Sequence, residues 1–150
     1  MFKPGLFCLS IVAALMVFQP APVRADDSQN VISRISARDV ENLLREMNIE
    51  FKEVDTDVYQ LQLSGLKVLF FNKGEDVQLY AGFTLDQKPT LTRINEWNRD
   101  KRFSRAYIDK EGDPVIEADL DAAGGVTRLG LRKFIELFQF SMEQFTKHIN

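Results

Sequence analysis

Apolar and polar positions recur along this chain with two different periods, which predict helices at both ends of a set of strands. Val40, Leu43 and Leu44 fall at helical spacing near the beginning. Ser36 and Asp39 precede them in an arrangement that resembles a capping box. The pattern therefore predicts an amphipathic first helix.

Three strand candidates follow the first helix, at residues 51–63, 66–72 and 77–85. The first is one long or broken strand, because residues 55–57 have the composition of a turn or a bulge. The second is apolar on both faces, which is typical of a central strand.

Residues 91–120 predict a short second helix followed by a hairpin. Thr90 is a favourable N-cap residue for the helix. The two strands of the hairpin flank a turn at 110–114, in which Gly112 can adopt a positive φ. Alternation along each strand predicts one apolar and one hydrated face.

A long last helix is predicted from Thr127 to about Ile149. Its continuous apolar stripe is predicted to be core and consists of Leu131, Phe134, Ile135, Phe138, Met142, Phe145 and Ile149. A second cluster, formed by Leu129, Leu137 and Phe140, lies off that stripe among charged residues. One stripe is enough to dock a helix, so this second cluster needs its own explanation.

Two explanations of the second cluster carry equal weight. It binds a protein, either a client or a second copy in a homodimer through the last helix. Alternatively, the N-terminal segment that contains Val31, Ile32 and Ile35 covers it within the chain.

The predicted order of elements is α-β-β-β-α-β-β-α. Hairpins between helices favour an α+β fold, with an antiparallel five-stranded sheet and helices packed mainly on one face.

The N-terminus predicts a secretory signal peptide at residues 1–25, cleaved after Ala25. Lys3 precedes an apolar run at residues 6–18, which is too short to span a bilayer comfortably. Residues 26–35 are predicted to be a flexible segment, and residues 36–150 one domain. The protein is therefore expected to be periplasmic or secreted, and its single cysteine, Cys8, falls within the leader.

Charge excludes some classes of partner. Loss of Lys3 and Arg24 with the leader lowers the 19 basic residues to 17, against 22 acidic ones, which leaves a net charge of −5. That charge disfavours nucleic acid, which requires a basic stripe, and it also disfavours anionic lipid surfaces. No further segment is apolar enough to cross a membrane, so stable membrane insertion after cleavage is not expected.

The second helix holds a candidate polar pocket. Leu91 and Ile94 are predicted to mark its buried face, which also carries Asn95 and Asn98 at helical spacing. One hypothesis is a pocket lined by Asn95, Trp97 and Asn98. The favoured one is a pair of structural asparagines under a packed tryptophan, because buried polar groups are usually satisfied locally.

Residues for catalysis or metal binding are sparse. His148 is the only histidine and lies at the chain end, where a catalytic triad would not hold its geometry. With no cysteine outside the leader, zinc is not expected. Asp109, Glu111 and Asp113 lack the glycine and glutamate positions of a calcium loop, so a solvated turn is the better account.

An acidic strand face offers the remaining route to catalysis. Glu117, Asp119 and Asp121 could supply paired carboxylates for a hydrolase, but a hydrated sheet face is the more ordinary interpretation. Gly124 and Gly125 precede a helix without the rest of a phosphate loop. We therefore expect no enzyme and no cofactor. The alternative is a small-ligand-binding protein or hydrolase that uses the asparagine pocket or this acidic face.

The segment INEWN at 94–98, then RFSRAYIDKEGDPVIEADLDAAGGV at 102–126, then the long apolar helix resemble the YbjN family of bacterial sensory transduction regulators. The resemblance covers residues 36–149. It implies a fold similar to type III secretion chaperones and supplies no catalytic residues. The resemblance implies a role in regulation. Together with the predicted leader, it predicts a non-catalytic periplasmic interaction module, acting as a regulator or chaperone-like adaptor of a protein partner. The signal peptide departs from the cytoplasmic members of that family.

Overall fold

The computed structural model describes residues 30–150. The predicted leader, its cleavage after Ala25, Cys8 and residues 26–29 of the predicted flexible segment lie outside that part. The described elements in chain order are β1 (Val31–Ile32), α1 (Ala37–Glu46), β2 (Phe51–Asp55), β3 (Val58–Leu63), β4 (Leu66–Asn72), β5 (Asp76–Gly82), α2 (Leu91–Asp100), β6 (Arg105–Ile108), β7 (Pro114–Asp121), β8 (Val126–Thr127) and α3 (Arg128–Ile149).

Strands β2 to β7 form one antiparallel sheet of six strands in the order β2-β3-β4-β5-β7-β6. The α+β class is confirmed, and β4 lies inside the sheet as predicted. The predicted count of five strands is wrong because the 51–63 segment folds back on itself. Asp57 adopts a φ of 56°, a conformation that Asp tolerates, and Phe51 pairs with Leu61 across the resulting turn.

A second, two-stranded sheet joins the start of the described chain to the start of the last helix. Val31 pairs with Thr127 and Ile32 pairs with Val126. Gly125 has a φ of 90°, and a Cβ there would lie 2.4 Å from Val31 Cγ1. Glycine at this position therefore allows the close approach of β1. The sequence pattern did not predict β1 or β8, because two-residue strands are too short to show a period.

Local signals account for the helix ends. Ser36 and Asp39 form the predicted capping box, with Ser36 N donating to Asp39 Oδ2 at 3.0 Å and Asp39 N donating to Ser36 Oγ at 3.2 Å. Thr90 Oγ1 accepts from Arg93 N at 3.2 Å at the start of α2. Thr127 is the N-cap of α3, which ends at Ile149 as predicted.

The core lies on one face of the sheet, where the three helices pack. Buried side chains of α3 include Phe138, Met142 and Phe145. The ring of Phe145 packs edge to face on Trp97 of α2, with 5.1 Å between centroids. No helix of residues 30–150 packs on the opposite face of the sheet, so the outer side of α3 and this open face are the two large surfaces on which a partner could dock.

Candidate functional site

The outer side of α3, opposite the buried stripe, carries a row of side chains spaced by three, four or seven residues. We call it the outer stripe, and it consists of Leu129, Lys133, Leu137, Phe140 and Lys147. Leu137 is 37 % exposed and Phe140 is 59 % exposed, whereas Phe138 between them is buried. Leu129 is half-buried near the beginning of the helix. Two large apolar side chains therefore face outward on adjacent turns.

The described part of the N-terminal segment lies at the other end of α3. Val31 and Ile32 pair with residues 126–127, and Ile35 is buried in the core with its N–H donating to the carbonyl of Gly74 at 2.7 Å. Phe140 lies about 18 Å along the helix axis from the first turn of α3, at the usual rise of about 1.5 Å per residue. Residues 30–35 therefore do not cover Leu137 or Phe140.

The three candidate pocket residues of α2 do not meet in one cavity. The helix buries Ile94 and Trp97, so the predicted burial of Leu91 is wrong: this side chain is 70 % exposed. Asn95 is exposed and forms no hydrogen bond within residues 30–150, because Ile94 and Trp97 turn the buried face away from it. Trp97 is buried and donates from Nε1 to Ser104 Oγ at 3.3 Å.

Asn98 acts as a structural asparagine, the favoured interpretation of the sequence. Its side-chain amide donates to the carbonyl of Ala106 at 2.9 Å and its Oδ1 accepts from Ala106 N at 2.8 Å. Both polar atoms are therefore committed to the edge strand β6, which leaves no amide group for a ligand.

The predicted acidic face is a network of satisfied carboxylates. Glu117 is only 4 % exposed and accepts from the guanidinium of Arg105 and from Tyr107 Oη, the latter at 3.1 Å. Asp119 accepts from Gln78 Nε2 at 2.8 Å, and Asp121 accepts from the backbone N–H of Ala123 at 2.9 Å. Glu117 was expected on a hydrated surface, and the cross-strand side chains of β6 are what bury it.

This network changes the acid–base behaviour of its members. Burial, followed by the negative charge of Glu117, raises the pKa of Tyr107 to about 12. Hydrogen bonding to Glu117 raises the pKa of Arg105. Strand alternation puts Arg105 and Tyr107 on the same face of β6. A hairpin centred on residue 111 then places Arg105 directly opposite Glu117. That signal was present in the sequence.

The turn between β6 and β7 is held by its own hydrogen bonds. Asp109 Oδ1 accepts from the N–H groups of Glu111 at 3.0 Å and Asp113 at 2.7 Å, and Asp113 pairs with Lys88. Across residues 30–150, no group of three or more His, Cys, Asp or Glu side chains is arranged to hold a metal ion.

His148 lies on a packed helix end, so the expectation of a frayed terminus is wrong. Its ring lies 5.6 Å from that of Trp97, and its Nε2 lies 2.7 Å from the carbonyl oxygen of Arg93. The Arg93 guanidinium in turn donates to the carbonyl of His148 at 2.5 Å. These contacts tie α3 to α2 and bring no nucleophile to the imidazole.

The open face of the sheet holds a shallow depression of about 340 Å³. Gln60, Leu69, Tyr80 and Asp109 are among the residues that line it. Burial is the main cause that raises the pKa of Tyr80, followed by the charge of Asp109.

Fold and surface together define a small α+β protein with one helix-covered sheet face and an exposed apolar patch on its last helix. Residues 36–150 match the model of the YbjN family, described as "Putative bacterial sensory transduction regulator", and the chain belongs to this family. No helix within the described range has the length and apolar character needed to span a bilayer.

One solved structure supports the fold independently. The chain is similar to the crystal structure of YbjN from E. coli, described as "a putative transcription regulator", with a TM-score of 0.62 and 15 % sequence identity. The match covers 75 % of this chain and 90 % of that one. At this identity the likeness establishes the fold alone. A comparison with curated proteins found no match.

Proposed function

We propose that this chain is a non-catalytic, exported member of the YbjN family that acts by binding another protein through the outer stripe of α3. The family description suggests regulation, and binding is the form of regulation that this surface supports. The E. coli relative is described as "a putative transcription regulator". For this acidic chain we propose a protein partner instead of DNA.

The observation that carries the proposal is the exposure of Phe140 and Leu137 beside a fully packed helix face. Phe140 leaves 59 % of its surface in water although Phe138 and Ser141, its near neighbours in sequence, are buried. Adjacent exposed apolar side chains on one helix are typical of a surface that another protein covers.

The charges around the patch define the chemistry of the partner. Lys133 and Lys147 lie on the same row, before and after the two apolar residues, and both are exposed. Lys133 also pairs with Glu136, with Nζ and Oε2 2.6 Å apart. The rim therefore carries charges of both signs, and the fitting partner is a protein with an apolar patch and a rim of complementary mixed charge.

Site-specific crosslinking in the bacterium of origin tests the proposal. A photoreactive phenylalanine analogue replaces Phe140, and in a control protein it replaces Val54, an exposed residue on the edge strand β2. We expect an adduct with one protein from position 140 alone, and its loss when Leu137→Glu is added.

An adduct between two copies of the chain would identify a homodimer and would exclude a separate partner. Equal labelling from positions 140 and 54, or labelling that survives Leu137→Glu, would refute binding through the outer stripe. Circular dichroism of each variant confirms that the fold is intact.

Export is tested separately. We expect the chain in the periplasmic or secreted fraction with an N-terminus at Asp26, measured by mass spectrometry of the intact protein. Recovery of the uncleaved chain from the cytoplasm would refute the predicted leader without affecting the outer stripe.

A further inference from the structure

A second surface, independent of the outer stripe, is formed where α2 turns into β6. We call residues 99–105 the α2–β6 corner. Phe103 is 65 % exposed there, and its backbone has a φ of 68°. A bulky residue in the left-handed region is strained, so the chain holds this ring outward at a cost.

The corner is fixed at both ends, so the exposed ring is a product of the fold. Lys101 N donates to the carbonyl of Trp97 at 2.8 Å, and Ser104 Oγ accepts from Trp97 Nε1. Asn98 clamps the backbone of Ala106 on the far side. A turn pinned in this way cannot easily fold Phe103 back onto the core.

The corner is also basic on an otherwise acidic protein. Residues 99–105 contain four basic side chains and one acidic one, whereas the other described residues contain 13 basic and 19 acidic ones. Lys101 and Arg102 form no ion pair within residues 30–150. The Arg102 guanidinium lies 5.3 Å from the centroid of the Phe103 ring. The Lys101 ammonium lies 5.8 Å from the centroid of the neighbouring Trp97 ring. The exposed ring of Phe103 therefore has the Arg102 guanidinium beside it, and neither Lys101 nor Arg102 is held in an ion pair with an acid among these residues.

We propose that the α2–β6 corner docks on an anionic lipid bilayer, with Phe103 entering the boundary between headgroups and acyl chains. Aromatic side chains favour that boundary, and Lys101 and Arg102 face the lipid phosphates. The single acidic side chain of the corner, Asp100, already pairs with Arg99, with 2.7 Å between Arg99 Nε and Asp100 Oδ1, so the corner presents a net positive charge to a bilayer. An extended polyanion such as nucleic acid would also contact the acidic surface and be repelled. The net negative charge of the whole chain therefore does not indicate this local basic surface.

Vesicle binding tests the proposal with the full chain and the same N-terminus in every variant. We expect more cosedimentation with phosphatidylglycerol-containing vesicles than with pure phosphatidylcholine, and a loss of the difference as salt is raised. Lys101→Glu/Arg102→Glu should weaken binding to the anionic vesicles about tenfold or more. Lys52→Glu/Lys73→Glu changes the total charge equally at exposed positions on β2 and after β4, and should have a much smaller effect.

The ring is tested by its own pair of variants. Phe103→Ala should weaken binding, whereas Leu91→Ala, at another exposed apolar residue, should not. Phe103→Trp should bind and shift its fluorescence to the blue when anionic vesicles are added. Thermal unfolding of each variant establishes that it is folded.

Three results would overturn the proposal. The first is equal binding to neutral and anionic vesicles by every variant. The second is undiminished binding by Lys101→Glu/Arg102→Glu. The third is binding to soluble polyglutamate as tight as to vesicles with no fluorescence shift of Phe103→Trp, which would assign the corner to an acidic protein.

Discussion

Asn98 hydrogen-bonds to both backbone polar groups of Ala106, at 2.9 Å to its carbonyl and 2.8 Å from its N–H. Strand β6 is at the edge of the sheet, and among the described strands only β7 pairs with it. The asparagine side chain therefore takes the place of a missing strand at this position. It satisfies the backbone N–H and carbonyl of Ala106 on this edge strand and so blocks pairing with another chain there.

Asn98→Ala is expected to lower the free energy of unfolding by about 1–2 kcal/mol, because two backbone groups of β6 lose their partners. Urea unfolding followed by circular dichroism measures it. Asn98→Asp keeps the acceptor for Ala106 N but loses the donor, so it should also destabilise. Asn95→Ala, on the exposed side of the same helix, is the control and should leave stability unchanged. An equal loss of unfolding free energy in Asn95→Ala and Asn98→Ala would contradict the assignment of Asn98 alone as the asparagine that holds β6.

Phe138 and Phe140 offer a matched pair of truncations on α3. Phe138 is 1 % exposed, so Phe138→Ala should cost about 3–5 kcal/mol of unfolding free energy through the cavity that it leaves. Phe140→Ala should change stability by only about 0.5 kcal/mol, because most of that ring is in water. Denaturant unfolding compares the two. A large loss at Phe140 would show that this ring is part of the core and would remove the basis of the outer stripe.

Gly125→Ala is expected to destabilise the chain by about 1–3 kcal/mol, since a side chain is strained at this φ and its Cβ would overlap Val31. Differential scanning calorimetry measures the change. Gly124→Ala is the control, because a Cβ at that position meets nothing within 4 Å. The double variant Val31→Ala/Gly125→Ala should recover only the part of the lost stability that the overlap with Val31 causes, because the backbone strain at residue 125 remains. Equal effects at the two glycines would indicate that β1 does not pack on Gly125.

The tyrosines are expected to ionise late in an alkaline titration followed by ultraviolet absorbance. Burial and the charge of Glu117 raise the pKa of Tyr107 to about 12, above the ordinary tyrosine value of 10.0. A raised folded-state pKa adds stability that is complete below pH 10 and is lost as pH rises toward about 12. Stability should therefore fall across this window.

Tyr107→Phe should remove the latest component of the titration and flatten the loss of stability between pH 10 and about 12. Glu117→Gln should lower the Tyr107 pKa, since it removes the neighbouring negative charge. An unchanged titration in Glu117→Gln would show that the charge of Glu117 does not act on Tyr107.

Much of the fold could be predicted because its signals are local. Helix caps such as Ser36, Thr90 and Thr127 act within one turn, and the periodic stripe of α3 is set by consecutive residues. Residues 51–63 were harder, because a broken strand and a two-residue hairpin have nearly the same sequence pattern. The candidate site was predictable only in part. Leu137 and Phe140 were identified as surplus apolar residues, but periodicity could not say what covers them.

By itself, the sequence determined the α+β class, the family, the helix caps and the surplus apolar residues of the last helix. Only the tertiary structure decided that Asn98 closes the sheet edge, that Arg105 and Tyr107 bury Glu117, and that Phe103 is exposed beside the Arg102 guanidinium. The reason is physical: caps and periods depend on neighbours a few residues apart. The burial of a polar group or the exposure of a ring depends on which distant strands and helices pack around it. That long-range packing leaves only weak local signals in the sequence.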